Sequence, residues 1–205
     1  MEIESTPDND TAHDAQRDLQ QRLLLATPQH TTRGILFSSL LRVIRELGED
    51  EAVVQHCLAA TGEKSFVDFF NYPTRSLLLL LSNAAQQLSG KLGGYEEVLR
   101  QMGFKGASSF MGTPVGLAAM QHAGGNPQRF MLALEALYGV LTTYGKPVLS
   151  WPGPNQGVLA IAVTFMPLAY HVGGAQAVAQ KLGVKNVDIR ARKTRGLSIE
   201  LVVSW

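Results

Sequence analysis

Cysteine is nearly missing from this chain: Cys57 alone stands among 205 residues. A disulfide within the chain is thereby excluded, which fits a reducing compartment, and the expected location is cytoplasmic. Long apolar runs are missing too. The leucine run Leu77–Leu81 is five residues, far short of the ~20 that span a bilayer. The acidic N-terminus lacks the basic start and apolar stretch of a signal peptide. Charge of one sign is also absent in aggregate. A formal net charge of +1 draws the protein neither to nucleic acid nor to an anionic membrane. Aromatics make up 7% of residues, and none interleaves with Arg190, Arg192, Lys193 and Arg195. Those bases therefore read as an edge-protecting strand face rather than a stacking surface for bases.

Catalytic signatures are equally scarce. There is no G-x-S-x-G elbow and no phosphate-cradling glycine loop; Cys57 falls on the buried face of an expected helix, and the side chain of its neighbour His56 points about 100° away. The histidines His13, His30, His56, His122 and His171 lack metal-ligand spacing with carboxylates or thiols. They are expected to be structural or superficial, and the chain is expected not to be an enzyme.

What is present is apolar and periodic. Apolar residues reach 45%, enough for a sizeable core. Residues 1–13 are polar and acidic, so the segment 1–30 is expected to be disordered or loosely attached, with a short helix over 14–26. Helices are expected from about 34, 50, 74, 95, 114 and 127, punctuated by glycines and prolines. In "GGNPQRFMLALEALYG", residues 124–139, Asn126 caps a helix that Pro127 opens. Its stripe is Phe130, Leu134, Leu137, Tyr138 and Leu141. "SFVDFFNYP", residues 65–73, is expected to be a buried connector. After Gly145 the period shortens: two strands, a helix over about 168–182, and a final hairpin. The small-residue face of that helix (Gly173, Gly174, Ala175, Ala177, Ala179) is expected to meet the sheet. The fold class is α+β, a helical part over 33–145 followed by a β-β-α-β-β antiparallel part over 146–205, within one domain spanning 31–205.

Three segments together resemble the heme-nitric oxide/oxygen-binding (H-NOX) domain: "RGILFSSLLRVIRELGED", the 124–139 helix, and the β-β-α-β-β tail with "GGAQAVAQKLG" on its helix. The chain also resembles a large paralogous family of myxobacterial proteins without assigned activity. That likeness rests on "SFVDFFNYP", "GGYEEVLRQMG", "MPLAYHVGG" and "GVKNVDIRARKTRGLSIELVVSW". The H-NOX likeness implies a histidine, the axial ligand of heme iron, right after the leucine matching Leu137; here that position is Tyr138. It also implies a tyrosine-x-serine-x-arginine triad for the heme propionates, where this chain reads Phe165, Met166, Pro167, Leu168, Ala169. Two or three lost charge-assisted hydrogen bonds of ~1.5–3 kcal/mol each, plus the axial bond, weaken heme by about 10³-fold or more. Tyrosinate ligation needs a lowered phenol pKa, and Arg129 lies nine residues away. No heme or other cofactor is expected.

Tyr138 then has two readings, a core tyrosine with a backbone partner, or the wall of a retained pocket between helices and sheet. The candidate pocket comprises Tyr138, Leu134 and Leu141 on one helix, Pro147, Phe165, Met166 and Pro167 from the sheet side, and Phe37, Leu40, Leu77 and Leu81 opposite. Such a pocket suits a hydrophobic small molecule. The resulting expectation is a heme-free regulatory or adaptor module that acts through protein–protein contacts, with a partner protein or with copies of itself. Two alternatives stand beside it: a tetrapyrrole or gas sensor with Tyr138 at the axial position, and a structural subunit of a larger assembly.

Overall fold

The structure, a computed structural model, describes residues 7–205, with side chains from residue 14 onward. Its elements follow the expected order. The helical part holds α1 (Pro7–Leu25), α2 (Gly34–Gly48), α3 (Glu51–Ala59), α4 (Thr74–Leu92), α5 (Tyr95–Met111), α6 (Pro114–Ala123) and α7 (Pro127–Leu141). Two three-residue strands, β1 (Thr31–Arg33) and β2 (Asn71–Pro73), pair antiparallel within it. The tail holds β3 (Pro147–Gly153), β4 (Gln156–Ile161), α8 (Leu168–Lys181), β5 (Asp188–Lys193) and β6 (Ile199–Ser204). These four strands form one antiparallel sheet in the order β3-β4-β6-β5. The α+β class therefore holds.

Local chemistry explains the helix starts. The side chains of Asp50, Thr113 and Asn126 each accept a hydrogen bond from a first-turn backbone N–H, and Pro114 and Pro127 occupy first-turn positions. In the sheet, Leu159 faces Leu201 and Ile161 faces Ile199 across β4 and β6. All four are buried with Met131 of α7, so alternation along the strands turns one face toward the helices.

Several expectations need correction. The 1–30 segment is not loosely attached where side chains are described: Leu19 is fully buried and Arg22 is buried, so α1 is docked on the domain. Residues 1–6, also expected to be disordered, lie outside the described residues. The connector 65–73 is largely exposed. Phe66 and Tyr72 pack inward on Phe37, with ring centroids 4.3 and 5.5 Å from it, whereas Phe69 and Phe70 are 70% and 54% exposed. Strand β4 stops at Ile161, short of Phe165, Met166 and Pro167, which were expected on the sheet side. Thr164, Phe165 and Met166 form a buried turn instead.

The small-residue face of α8 also meets something unexpected. It packs chiefly on α5, not on the sheet. A Cβ added at Gly173 would lie 1.9 Å from the Arg100 carbonyl oxygen, and one at Gly103 would lie 2.0 Å from that of Tyr170. Only glycine permits backbones this close. The crossing fixes where Tyr170 and its neighbour His171 sit.

Candidate functional site

Where α2, α5, α7 and α8 meet the sheet, packing leaves a cavity of about 250 Å³. Its wall is aliphatic and aromatic: Leu36 and Leu40 from α2, Leu77 from α4, Leu134, Leu137 and Leu141 from α7, Leu159 and Ile161 from β4. Gly103 and Gly106 on α5 and Gly174 on α8 line it without side chains, which leaves lumen where longer residues would fill it. Among the described residues, no Asp, Glu, Lys or Arg stands in the wall.

Of the residues singled out from sequence, Tyr138, Leu134, Leu141, Leu40, Leu77 and Met166 come together here. Five do not reach the wall. Phe37 is stacked under Phe66, and Leu81 is sealed in the helical core. Pro147 pairs with Ile161 on the sheet. Phe165 turns its ring onto His30 and Tyr144, with centroids 4.8 and 4.9 Å away. Pro167 serves as the N-cap position of α8. The turn after β4 explains the last two, because it rotates the 165–167 backbone away from the strand direction that alternation assumed.

The polar lining is the part sequence reasoning missed. Thr32, Tyr144, Tyr170 and His171 all line the cavity. The pair Tyr170–His171 was visible as two polar rings just before the small residues Gly173, Gly174 and Ala175 of α8, though nothing in the spacing said which way they point.

These groups form two clusters. In the first, Thr32 Oγ1 lies 2.9 Å from Thr74 Oγ1 and 3.2 Å from the Tyr144 hydroxyl; each polar atom there has a partner. In the second, Thr164 Oγ1 accepts from the Met166 backbone N–H at 3.2 Å and lies 2.9 Å from His171 Nε2. Tyr138 reaches this cluster through Thr164. Burial pushes the Tyr138 phenol well above its ordinary range, with Tyr144 and Tyr170 adding to the shift and Thr164 opposing it. Burial likewise pushes Tyr170 up to about 12. His171 is pushed down to about 4, first by burial and then by the nearby Arg22. All three are neutral across the ordinary pH range.

Arg22 stands behind this wall rather than in it. Its Nη1 donates to the carbonyls of Thr164 at 2.8 Å and Met166 at 3.1 Å, and its Nε donates to Asp18 at 2.8 Å. Asp18 also pairs with Lys193 of β5. Burial raises the Asp18 pKa, but Arg22 and Lys193 outweigh that and hold it below its ordinary value. The acidic start and the basic tail of the chain thus touch where Asp18 meets Lys193, beside the Arg22 that backs the cavity.

Residues 25–205 match the family model described as "Protein of unknown function (DUF2378)". The chain belongs to the DUF2378 family. The match begins at the last residue of α1, so most of that helix precedes it. No curated protein matches this DUF2378 chain. Solved H-NOX structures do resemble it. A doubly substituted H-NOX given as from "Tt" superimposes with a TM-score of 0.63 at 12% identity, covering 84% of this chain and 94% of that one. The Fe(II) unliganded H-NOX protein from K. algicida gives 0.59 at 14% identity, covering 84% and 95%. A single-site mutant of the T. tengcongensis H-NOX gives 0.56 at 12%, covering 83% and 94%. At these identities the likeness establishes the fold: this DUF2378 chain has an H-NOX-like fold, and the resemblance read from sequence holds at that level.

Proposed function

We propose that this DUF2378 chain is a heme-free regulatory domain. In this reading it senses a small apolar molecule in the cavity between helices and sheet and answers through protein contacts. The observation that carries the reading is the cavity itself, built almost wholly from hydrocarbon, with a few neutral polar groups and no charged side chain in its described wall.

The lining suits heme poorly. Tyr138 occupies the place where the H-NOX resemblance implies the iron ligand. Its phenol is held in the protonated form by burial, whereas a metal ligand must be the phenolate. The propionates of heme would need cationic partners. Arg22, a cation behind the wall, is already committed to Asp18 and to two carbonyls. The volume counts against heme too: a cavity of ~150 Å³ holds one benzene, so about 250 Å³ has room for about ten heavy atoms. A porphyrin is several times larger.

The regulatory half of the proposal draws on fold and surface. The exposed edge-to-face pair Phe69 and Phe70 supplies an apolar surface of the kind that partners cover. The wall's polar groups are neutral phenols, hydroxyls and one imidazole, an arrangement suited to holding a ligand rather than transforming one.

Native mass spectrometry of the freshly purified chain tests this directly, because it reports bound small molecules and subunit number together. The expected spectrum shows a chain without iron or porphyrin mass. A stoichiometric heme adduct would overturn the proposal in favour of a tetrapyrrole sensor.

A further inference from the structure

The cavity wall contains polar atoms that the protein itself leaves unpaired. Among the described residues, neither the Tyr170 hydroxyl nor His171 Nδ1 has a hydrogen-bond partner; the Nε2 of the same imidazole is taken by Thr164. Yet no fully enclosed side-chain nitrogen or oxygen among the described residues lacks a partner. These two groups therefore keep accessible surface, and what they face is the cavity they line. A buried polar atom without a partner is costly, so such atoms in an enclosed wall mark where a ligand's own polar atom belongs. The Tyr138 hydroxyl lies in the same corner, coupled to Thr164 and to Tyr170.

We infer that the cavity takes an uncharged, mainly hydrocarbon molecule bearing one hydrogen-bonding oxygen, and that Tyr170 and His171, with Tyr138 beside them, hold that oxygen. The inference rests on the proposed function and specifies its ligand. Size follows from volume: about ten heavy atoms, scaling from the ~150 Å³ that accommodates benzene. Polarity follows from the unpaired groups on adjacent residues of α8, beside the Thr164 contact of His171. It follows too from the Ser39 hydroxyl of α2, which lines the same wall without a partner among the described residues. The Thr32, Thr74 and Tyr144 cluster is internally satisfied. A hydroxyl or ketone oxygen can accept from a phenol, and a hydroxyl can also donate to an imidazole nitrogen.

Absence of charge follows from the wall. A carboxylate in this corner would face two phenols that stay protonated and an imidazole that stays neutral. Arg22 cannot turn to it without releasing Asp18 and the Thr164 and Met166 carbonyls. An ion buried without a counter-charge is strongly disfavoured.

Calorimetric titration of the full chain at pH 8 with three probes of one chain length separates these requirements: octan-1-ol, octanoate and octane. The expected result is saturable one-to-one binding of octan-1-ol, with octanoate at least tenfold weaker and octane several-fold weaker. Tyr170→Phe, which removes one oxygen atom, is expected to weaken octan-1-ol roughly two- to tenfold while leaving octane unchanged. Should that variant fail to fold, the three wild-type titrations decide alone. Octanoate binding as tightly as the alcohol would overturn the uncharged class. Octane binding equally well would overturn the polar corner, leaving the apolar cavity intact. Failure of all three probes would instead remove the cavity reading on which the inference stands.

Discussion

His171 reports on the cavity without any ligand. Its imidazole is pushed down to about 4 in the folded chain against an ordinary value of 6.5. Between those values the unfolded chain binds the proton more readily, so stability is expected to rise with pH from about 4 to 6.5 and level off above. The amplitude is at most about 3 kcal/mol. Denaturant melts across that window check it, and His171→Leu should flatten the slope. Asp18 acts lower on the scale. Its pKa is held below 3.8, so its contribution is present above the ordinary carboxylate value and is lost only as pH falls below that. Arg22 joins the two, being buried and bonded to Asp18 and to the carbonyls of Thr164 and Met166. Replacing it with Met leaves Asp18 with Lys193 as its remaining cationic partner and two carbonyls without their donor. The expected loss is roughly 3–5 kcal/mol by chemical denaturation. Among single residues, sequence alone pointed to Tyr138 through the helix stripe. It gave no pointer to Arg22, because that residue sits in a segment whose composition reads as polar, and its carbonyl partners Thr164 and Met166 lie 142 and 144 positions away in sequence.

At the scale of elements, the α5–α8 crossing carries the cavity's shape. Gly103→Ala would drive a methyl to within 2.0 Å of the Tyr170 carbonyl oxygen. Backbone cannot yield as a flexible side chain can. A stability loss of roughly 3 kcal/mol or more is expected, together with weaker ligand binding because Tyr170 moves. Gly90 in α4 is the counter-example. An added Cβ there meets nothing within 4 Å, so Gly90→Ala is expected to raise stability by about 0.5–1 kcal/mol through the unfolded chain's lost freedom. Thermal melts of the two variants, side by side, should move in opposite directions. Elements with their own caps were legible: α6 and α7 begin where Thr113–Pro114 and Asn126–Pro127 say they should. The short pair β1–β2 was not, since three residues leave no alternation to detect and their pairing spans Thr31–Arg33 to Asn71–Pro73. The α8 face illustrates the same boundary: glycines at 173 and 174 announce close approach, while the partner surface is set by tertiary packing.

At the scale of the molecule, the order of elements was readable because helical and strand periods change sharply after Gly145. The cavity was readable only in part. Its apolar half follows from stripes on α2, α4 and α7, but its polar corner depends on a turn, Thr164–Pro167, that ends β4 early. What this H-NOX-like fold offers is a helix–sheet cavity walled by hydrocarbon and neutral polar groups. The most direct test of the central claim is a hemin titration of the purified chain, followed in the Soret region, with Tyr138→Phe alongside. The expected result is no saturable Soret complex for either protein. A one-to-one complex in the unaltered chain that disappears in Tyr138→Phe would contradict the account.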